Sequence, residues 1–203
     1  MDFLQVIMAI GLGIGLAAAA GFRVFVPLFV MSLASASGML TLGPSMAWLG
    51  SPLACVVLGV ATGVEIAGYF VPWVDNLLDS IASPAAVVAG TVVAAAATSG
   101  IVGMDPVLQW SFGIIAGGGT AGVIQASTVA TRAASTLVSG GVANPVVSTA
   151  EAAAATTLSI LAVVVPVIAA ALVIGGLVFF FRLWRRRRAT PAATVEPTSI
   201  PSL

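Results

Sequence analysis

Ser51-Pro52-Leu53-Ala54-Cys55-Val56-Val57-Leu58-Gly59-Val60-Ala61-Thr62-Gly63-Val64-Glu65-Ile66-Ala67-Gly68-Tyr69-Phe70-Val71-Pro72 is the stretch that decides the fold. Ser can accept a bond from an orphan amide at a helix start. Pro fits the first helical position, where its missing N–H has no partner to lose. An apolar run follows, and a second proline closes it. At a rise of about 1.5 Å per residue, the run from Pro52 to Pro72 matches a hydrocarbon core of about 30 Å. Inside it lies one carboxylate, Glu65, with no neighbour in sequence to neutralise it. A charge at that depth costs roughly 2.5–3.5 kcal/mol on insertion scales. Glu65 must therefore be protonated, paired with an arginine, or turned toward water.

The rest of the 203 residues repeats the pattern. Hydrophobic residues make up 60% of the chain and charged residues 7%, against about 25% charged in a soluble domain. With a mean hydropathy of +1.16, this composition excludes a soluble domain, a disordered chain and a nucleic-acid binder. It predicts an all-α integral membrane protein with five to six membrane segments. Ser83-Pro84, Asp105-Pro106 and Asn144-Pro145 repeat the capping pair, so helices are expected near Pro52, Pro84, Pro106 and Pro145. Phe3–Ala20 reads as a retained membrane helix, because acidic Asp2 stands where a signal peptide needs a cation.

Three blocks do not suit one straight helix each. The first, Phe3–Ala36, contains Gly21, Arg23 and Pro27. The next, Pro106–Ser139, contains Gly117, Gly118 and Gly119. Both are expected to break into discontinuous or re-entrant helices. Pro145–Phe181, interrupted by Pro166, reads instead as one long, tilted or kinked helix. The intervals Pro52–Pro72 and Pro145–Pro166 are nearly equal, which admits an internal two-helix repeat, although Arg23 and Arg132 do not superpose in that register. Gly11/Gly15, Gly59/Gly63 and Gly118/Gly122 are small-xxx-small faces for close helix contact. Gly59/Gly63 and Gly11/Gly15 are the faces from which a homo-oligomer is expected.

The charges divide the chain into a membrane domain, residues 1–181, and a basic tail, residues 182–203. The tail holds Arg182, Arg185, Arg186, Arg187 and Arg188 against the single acid Glu196. The positive-inside rule puts this tail in the cytoplasm, with its arginines on anionic lipid headgroups. Six crossings would leave the N-terminus on the same side, and five on the opposite side.

Between the ends lie Arg23, Glu65, Asp75, Asp79, Asp105, Arg132 and Glu151. Asp75 and Asp79 share a helix face, either as solvated carboxylates of an interfacial helix or as a cation site. Ser148 and Glu151 have the spacing of a capping box. Arg23 and Arg132 serve as counter-ions to Glu65 or an Asp, or bind an anion. Gln125 lies two turns before Arg132 on the same face. With no His, a lone Cys55 and no base near Ser139, neither an enzyme nor a bound cofactor or metal is expected. Two functions follow. The first is a small channel or transporter for an ion or solute, centred on Glu65 and the two arginines. The second is a non-transporting scaffold or lipid-interacting protein with buried ion pairs.

Three stretches carry a resemblance: Ala20-Gly21-Phe22-Arg23-Val24-Phe25-Val26-Pro27-Leu28; Val74-Asp75-Asn76-Leu77-Leu78-Asp79; and Thr131-Arg132 through Ser135, Gly140-Gly141, Asn144-Pro145, Ser148 and Glu151. In combination they resemble the bacterial membrane family catalogued as domain of unknown function 4126, over about Gly11 to Leu177. The resemblance implies a polytopic inner-membrane protein and supplies no activity.

Overall fold

The computed structural model describes residues 3–188, except the side chains of Pro72, Trp73, Asp75, Asn76, Asp79, Trp184, Arg187 and Arg188. The order is α1 (Phe3–Phe22), α2 (Phe25–Ala36), a 3-10 turn (Pro44–Gly50), α3 (Pro52–Gly68), α4 (Pro72–Thr98), α5 (Pro106–Phe112), a π-helical turn (Gly113–Gly118), α6 (Gly119–Ser139), α7 (Asn144–Val164) and α8 (Pro166–Arg188). No strand occurs among the described residues. Five helical stretches are long and apolar enough to cross a membrane. The 3-10 turn and α3, bent by 61°, make a sixth if taken as one span. α2, at 12 residues, reaches about 18 Å and is short of a full crossing.

α1 is the centre of the bundle. Its residues Leu16–Ala20 have no exposed surface, and it touches α2, α4, α6, α7 and α8. Lipid is as apolar as the helices, so burial of apolar surface does not drive this packing. Close van der Waals contact does, and it needs small side chains. A Cβ on Gly15 would sit 2.7 Å from Ala162 Cβ, and one on Gly21 would sit 2.6 Å from the Ala121 carbonyl oxygen. The outer surface carries Val56, Val60, Ile115, Leu172 and Phe179, all exposed.

Contacts give each helix its direction. Phe25 meets Glu65 and Ser32 meets Cys55, so α2 and α3 are antiparallel. Met39–Thr41 share a groove with Gln5–Leu12, so α2 folds back along α1. Pro166 lies against Gly11, and Ala162 and Ala169 both flank Gly15. Ser148 reaches Arg23 from α7, while Phe180 shares a groove with Phe22 from α8. α7 and α8 therefore diverge from the Val165–Pro166 turn and run along α1 in opposite chain directions. This corrects the expectation of one kinked helix there: Pro166 starts a new helix after Val165, at φ −138° and ψ 72°, has left helical geometry. α1 and α8 are parallel, so Phe3 and the arginines of α8 lie at opposite ends of the bundle. Where α1 and α8 are both spans, an odd number of crossings separates those two ends.

Two of the four capping pairs behave as their chemistry suggests. The Ser51 hydroxyl accepts from Ala54 N at 3.2 Å, and Asp105 accepts from Val107 N at 2.7 Å. The other two do not. Pro84 lies inside α4, which begins at Pro72. Asn144 is the first residue of α7, and its amide donates to Thr136 Oγ1 on α6 at 3.1 Å.

The Gly117-Gly118-Gly119 run is also not a break. The chain widens into the π turn and continues as helix, with Gly118 at φ −60° and Gly119 at φ −61°. The reason is packing: a Cβ on Gly117 would overlap the Gly90 carbonyl oxygen of α4. The glycines serve close helix approach. The two proline-bounded helices of the expected repeat follow different elements, α3 a bent 3-10 turn and α7 the long α5–α6 helix.

Candidate functional site: a buried charge layer at a helix break

The one break inside the first block falls at Arg23-Val24, between α1 and α2. Pro27 occupies the third position of α2, where its missing N–H removes no ladder bond. α2 has no side-chain cap of its own. Its first amides find one in α3: Val24 N donates to Glu65 Oε1 at 2.7 Å, and Phe25 N donates to Glu65 Oε2 at 3.0 Å. The carboxylate also faces the positive end of the α2 dipole, worth up to about 2 kcal/mol in partly buried geometry. Glu65 is 6% exposed.

Arg23 points the other way, toward α7. Its Nη2 donates to the Ser148 carbonyl at 2.8 Å and to Ser148 Oγ at 2.6 Å, and lies 3.4 Å from Glu151 Oε2. Arg132, from α6, meets the same carboxylate. Its Nε donates to Glu151 Oε1 at 3.2 Å and to Oε2 at 3.1 Å, and its Nη2 also bonds Oε2. Tyr69, the chain's only tyrosine, carries both guanidiniums on its ring, with Arg23 Cζ at 3.8 Å and Arg132 Cζ at 4.2 Å from the centroid. All five residues are buried. Within the layer, the side-chain atoms Arg23 Nε and Ser135 Oγ are buried without a hydrogen-bond partner.

The structure thus brings Arg23, Arg132 and Glu65 into one layer, as the sequence suggests, but pairs them differently. The arginines converge on Glu151, and Glu65 binds backbone. The capping-box reading of Ser148 and Glu151 fails because α7 starts at Asn144, a full turn before Ser148. Both side chains are left to face Arg23 and Arg132. Sequence reasoning missed Tyr69 altogether; its place one turn after Glu65 on the same helix face was the available signal.

Gln125 is buried on the α6 stripe that also carries Thr128 and Arg132. Asp75 and Asp79 fall in the first two turns of α4, and their side chains lie outside the described ones, as do those of Arg187 and Arg188. Arg185 and Arg186 are exposed on α8. No group of three or more metal-ligating side chains occurs among the described residues.

The depth of the layer follows from α4. Ala82 packs in one cluster with Ala20 and Val24, within the stretch of α4, Ser80–Thr98, that is long and apolar enough to cross a membrane. The charges lie beside that stretch, toward the end of the bundle that carries the α8 arginines. Beside the layer, between α3 and α4, is a groove of about 370 Å³. Val57, Val60, Val64, Leu78 and Ile81 wall it, and Glu65 and Tyr69 lie at its inner end.

No curated protein and no solved structure matches the chain. The family model described as Domain of unknown function (DUF4126) matches residues 10–186, reaching past the expected limit at Leu177 to include Arg182, Arg185 and Arg186. This polytopic, all-α chain of apolar helices belongs to that domain-of-unknown-function family.

Proposed function

We propose that the protein is a small membrane carrier for an ion or small solute. One observation carries the reading: two arginines and two glutamates are buried together at the only break in the first helical block. Ion pairs of this kind rarely repay their desolvation. Apolar residues of similar volume in their place are often neutral or stabilising by about 1–4 kcal/mol. A bundle already held by Gly and Ala contacts has little structural need of them. Charges inside membranes mark substrate and proton pathways, and broken helices line them.

The exposed arginines of α8 belong to the same picture. They orient the protein in a bacterial inner membrane with the charge layer near the cytoplasmic face, and they hold anionic lipid. A homo-oligomer belongs to it as well. Gly11, Gly15 and Gly118 have close neighbours within the chain, while the helical Gly63, Gly119, Gly175 and Gly176 have none within 4 Å. These last four mark faces open to a second copy.

A second reading draws on one specific observation: Glu65 is satisfied by two amides and Glu151 by two arginines. Buried carboxylates that each have partners inside the chain suit a scaffold or lipid-interacting protein. Flux from proteoliposomes against a panel of ions and small solutes separates the two. A carrier gives flux that disappears in Glu65→Gln while the variant still elutes as a folded protein. Absence of flux for every solute with folded wild type overturns the carrier and leaves the scaffold.

A further inference from the structure

We propose that the α3–α4 groove binds a lipophilic monovalent cation, an amine or ammonium with an apolar body, which enters sideways from the bilayer and sets its charge on Glu65. The inference rests on the carrier reading and supplies its substrate class.

Three observations lead to it. The groove, at about 370 Å³, falls in the range of small-molecule sites, roughly 300–1,000 Å³. Its walls are aliphatic but for Phe25, and its outer residues open to the outside of the bundle: Val57 is 55%, Val60 63%, Val64 67% and Ile81 56% exposed. A ligand can therefore arrive without crossing water. At the inner end stands a carboxylate with acceptor capacity to spare. Each Glu65 oxygen takes one amide hydrogen, whereas a carboxylate offers about four lone-pair positions.

Arg23 acts on that carboxylate from behind, across Tyr69, and the groove itself holds no cation. Among the described residues no cation lies within ion-pair distance of Glu65, and the groove is lined by no arginine. Arg23 spends its Nη2 on Ser148 and Glu151, away from the groove. An anion would meet the carboxylate, and a neutral alkyl chain would gain nothing by reaching it. A metal ion would find one carboxylate where several oxygens are needed. A cation with an apolar body satisfies both the walls and the end.

Tetraphenylphosphonium and its near-isosteric anion tetraphenylborate test this, with the full chain in lipid nanodiscs and empty discs as background. Saturable binding of the phosphonium without the borate is expected. Glu65→Gln should weaken it at least about tenfold, because it removes the one charge on the groove that attracts a cation; the phosphonium has no hydrogen to donate, so the loss is of Coulomb attraction alone. Val60→Trp narrows the groove at an exposed position and leaves Glu65 intact, so it should weaken binding too even if Glu65→Gln fails to fold. Equal binding of both ions, or phosphonium binding unchanged in Val60→Trp, overturns the site. Flux of other solutes with no phosphonium binding sinks this inference and leaves the carrier standing. Saturable phosphonium binding in a protein that transports nothing supports the site and sinks the carrier.

Discussion

The two halves of α1 are held in opposite ways. Around Gly11–Gly15 the neighbours are Pro166, Ala162, Ala169, Ala94 and the Phe112 ring, and no charged side chain meets them. Around Phe22–Phe25, Val24 and Phe25 still pack on Ala82 and Ala85, but Glu65, Tyr69, Ser148 and Glu151 add a set of charged and hydrogen-bonded contacts. The first layer gains its stability from distance alone, because glycine lets backbones approach. The second gains little from its charges once desolvation is counted, and depends on every partner being present. A layer of the first kind tolerates no added volume, and one of the second kind tolerates no lost partner.

The largest break in this comparison is expected at Glu151. Glu151→Gln removes the carboxylate that Arg23 and Arg132 share and should cost about 3–5 kcal/mol, the usual loss for one buried partner. Thermal unfolding in detergent measures it as a steep fall in Tm. The triple variant Arg23→Met, Arg132→Leu, Glu151→Leu sharpens the point. It should regain most of the lost stability, since neither guanidinium nor the Glu151 carboxylate is left behind without its partner and Glu65 keeps its two amides, and still show no flux. If it unfolds like Glu151→Gln, the layer is architectural after all.

Glu65→Gln comes next. The side chain can still accept from one amide of α2 but loses its charge, for about 1.5–3 kcal/mol. Faster hydrogen exchange confined to Val24 and Phe25 would localise the loss to the start of α2.

In the small-residue layer, Gly15→Ile should cost about 1–3 kcal/mol by overpacking against Ala162 and Ala169. Flux per folded molecule should stay unchanged, because no charge moves. The smallest effect is expected at Gly63→Ala. That Cβ meets nothing within 4 Å, so Tm should hold or rise, by up to about 1 kcal/mol of helix propensity. A fall in Tm together with a smaller particle mass would place a second copy on α3.

Much of the fold was legible without coordinates. Pro52 and Pro106 open helices because each follows a residue able to cap. The break between Gly21 and Pro27 was readable because an arginine stood inside an apolar run. What could not be read was whether a glycine run marks a break or a contact. At Gly117 the answer depends on the Gly90 carbonyl of a different helix. Pro84 misled for the same reason, since neighbours packed against α4 carry the helix past it.

Composition, charge count and proline spacing determined by themselves that this is a bundle of apolar helices with few charges inside, because the bilayer sets both the length of a span and the cost of a charge. Which charge meets which was decided by tertiary structure alone. Glu151 sits 128 positions from Arg23 and 19 from Arg132 in the chain, and no local pattern joins them. They meet because α7 starts at the level where α1 ends and runs back along it. A carboxylate there can serve two guanidiniums at once, while Glu65, on the opposite flank, is left for the amides of α2.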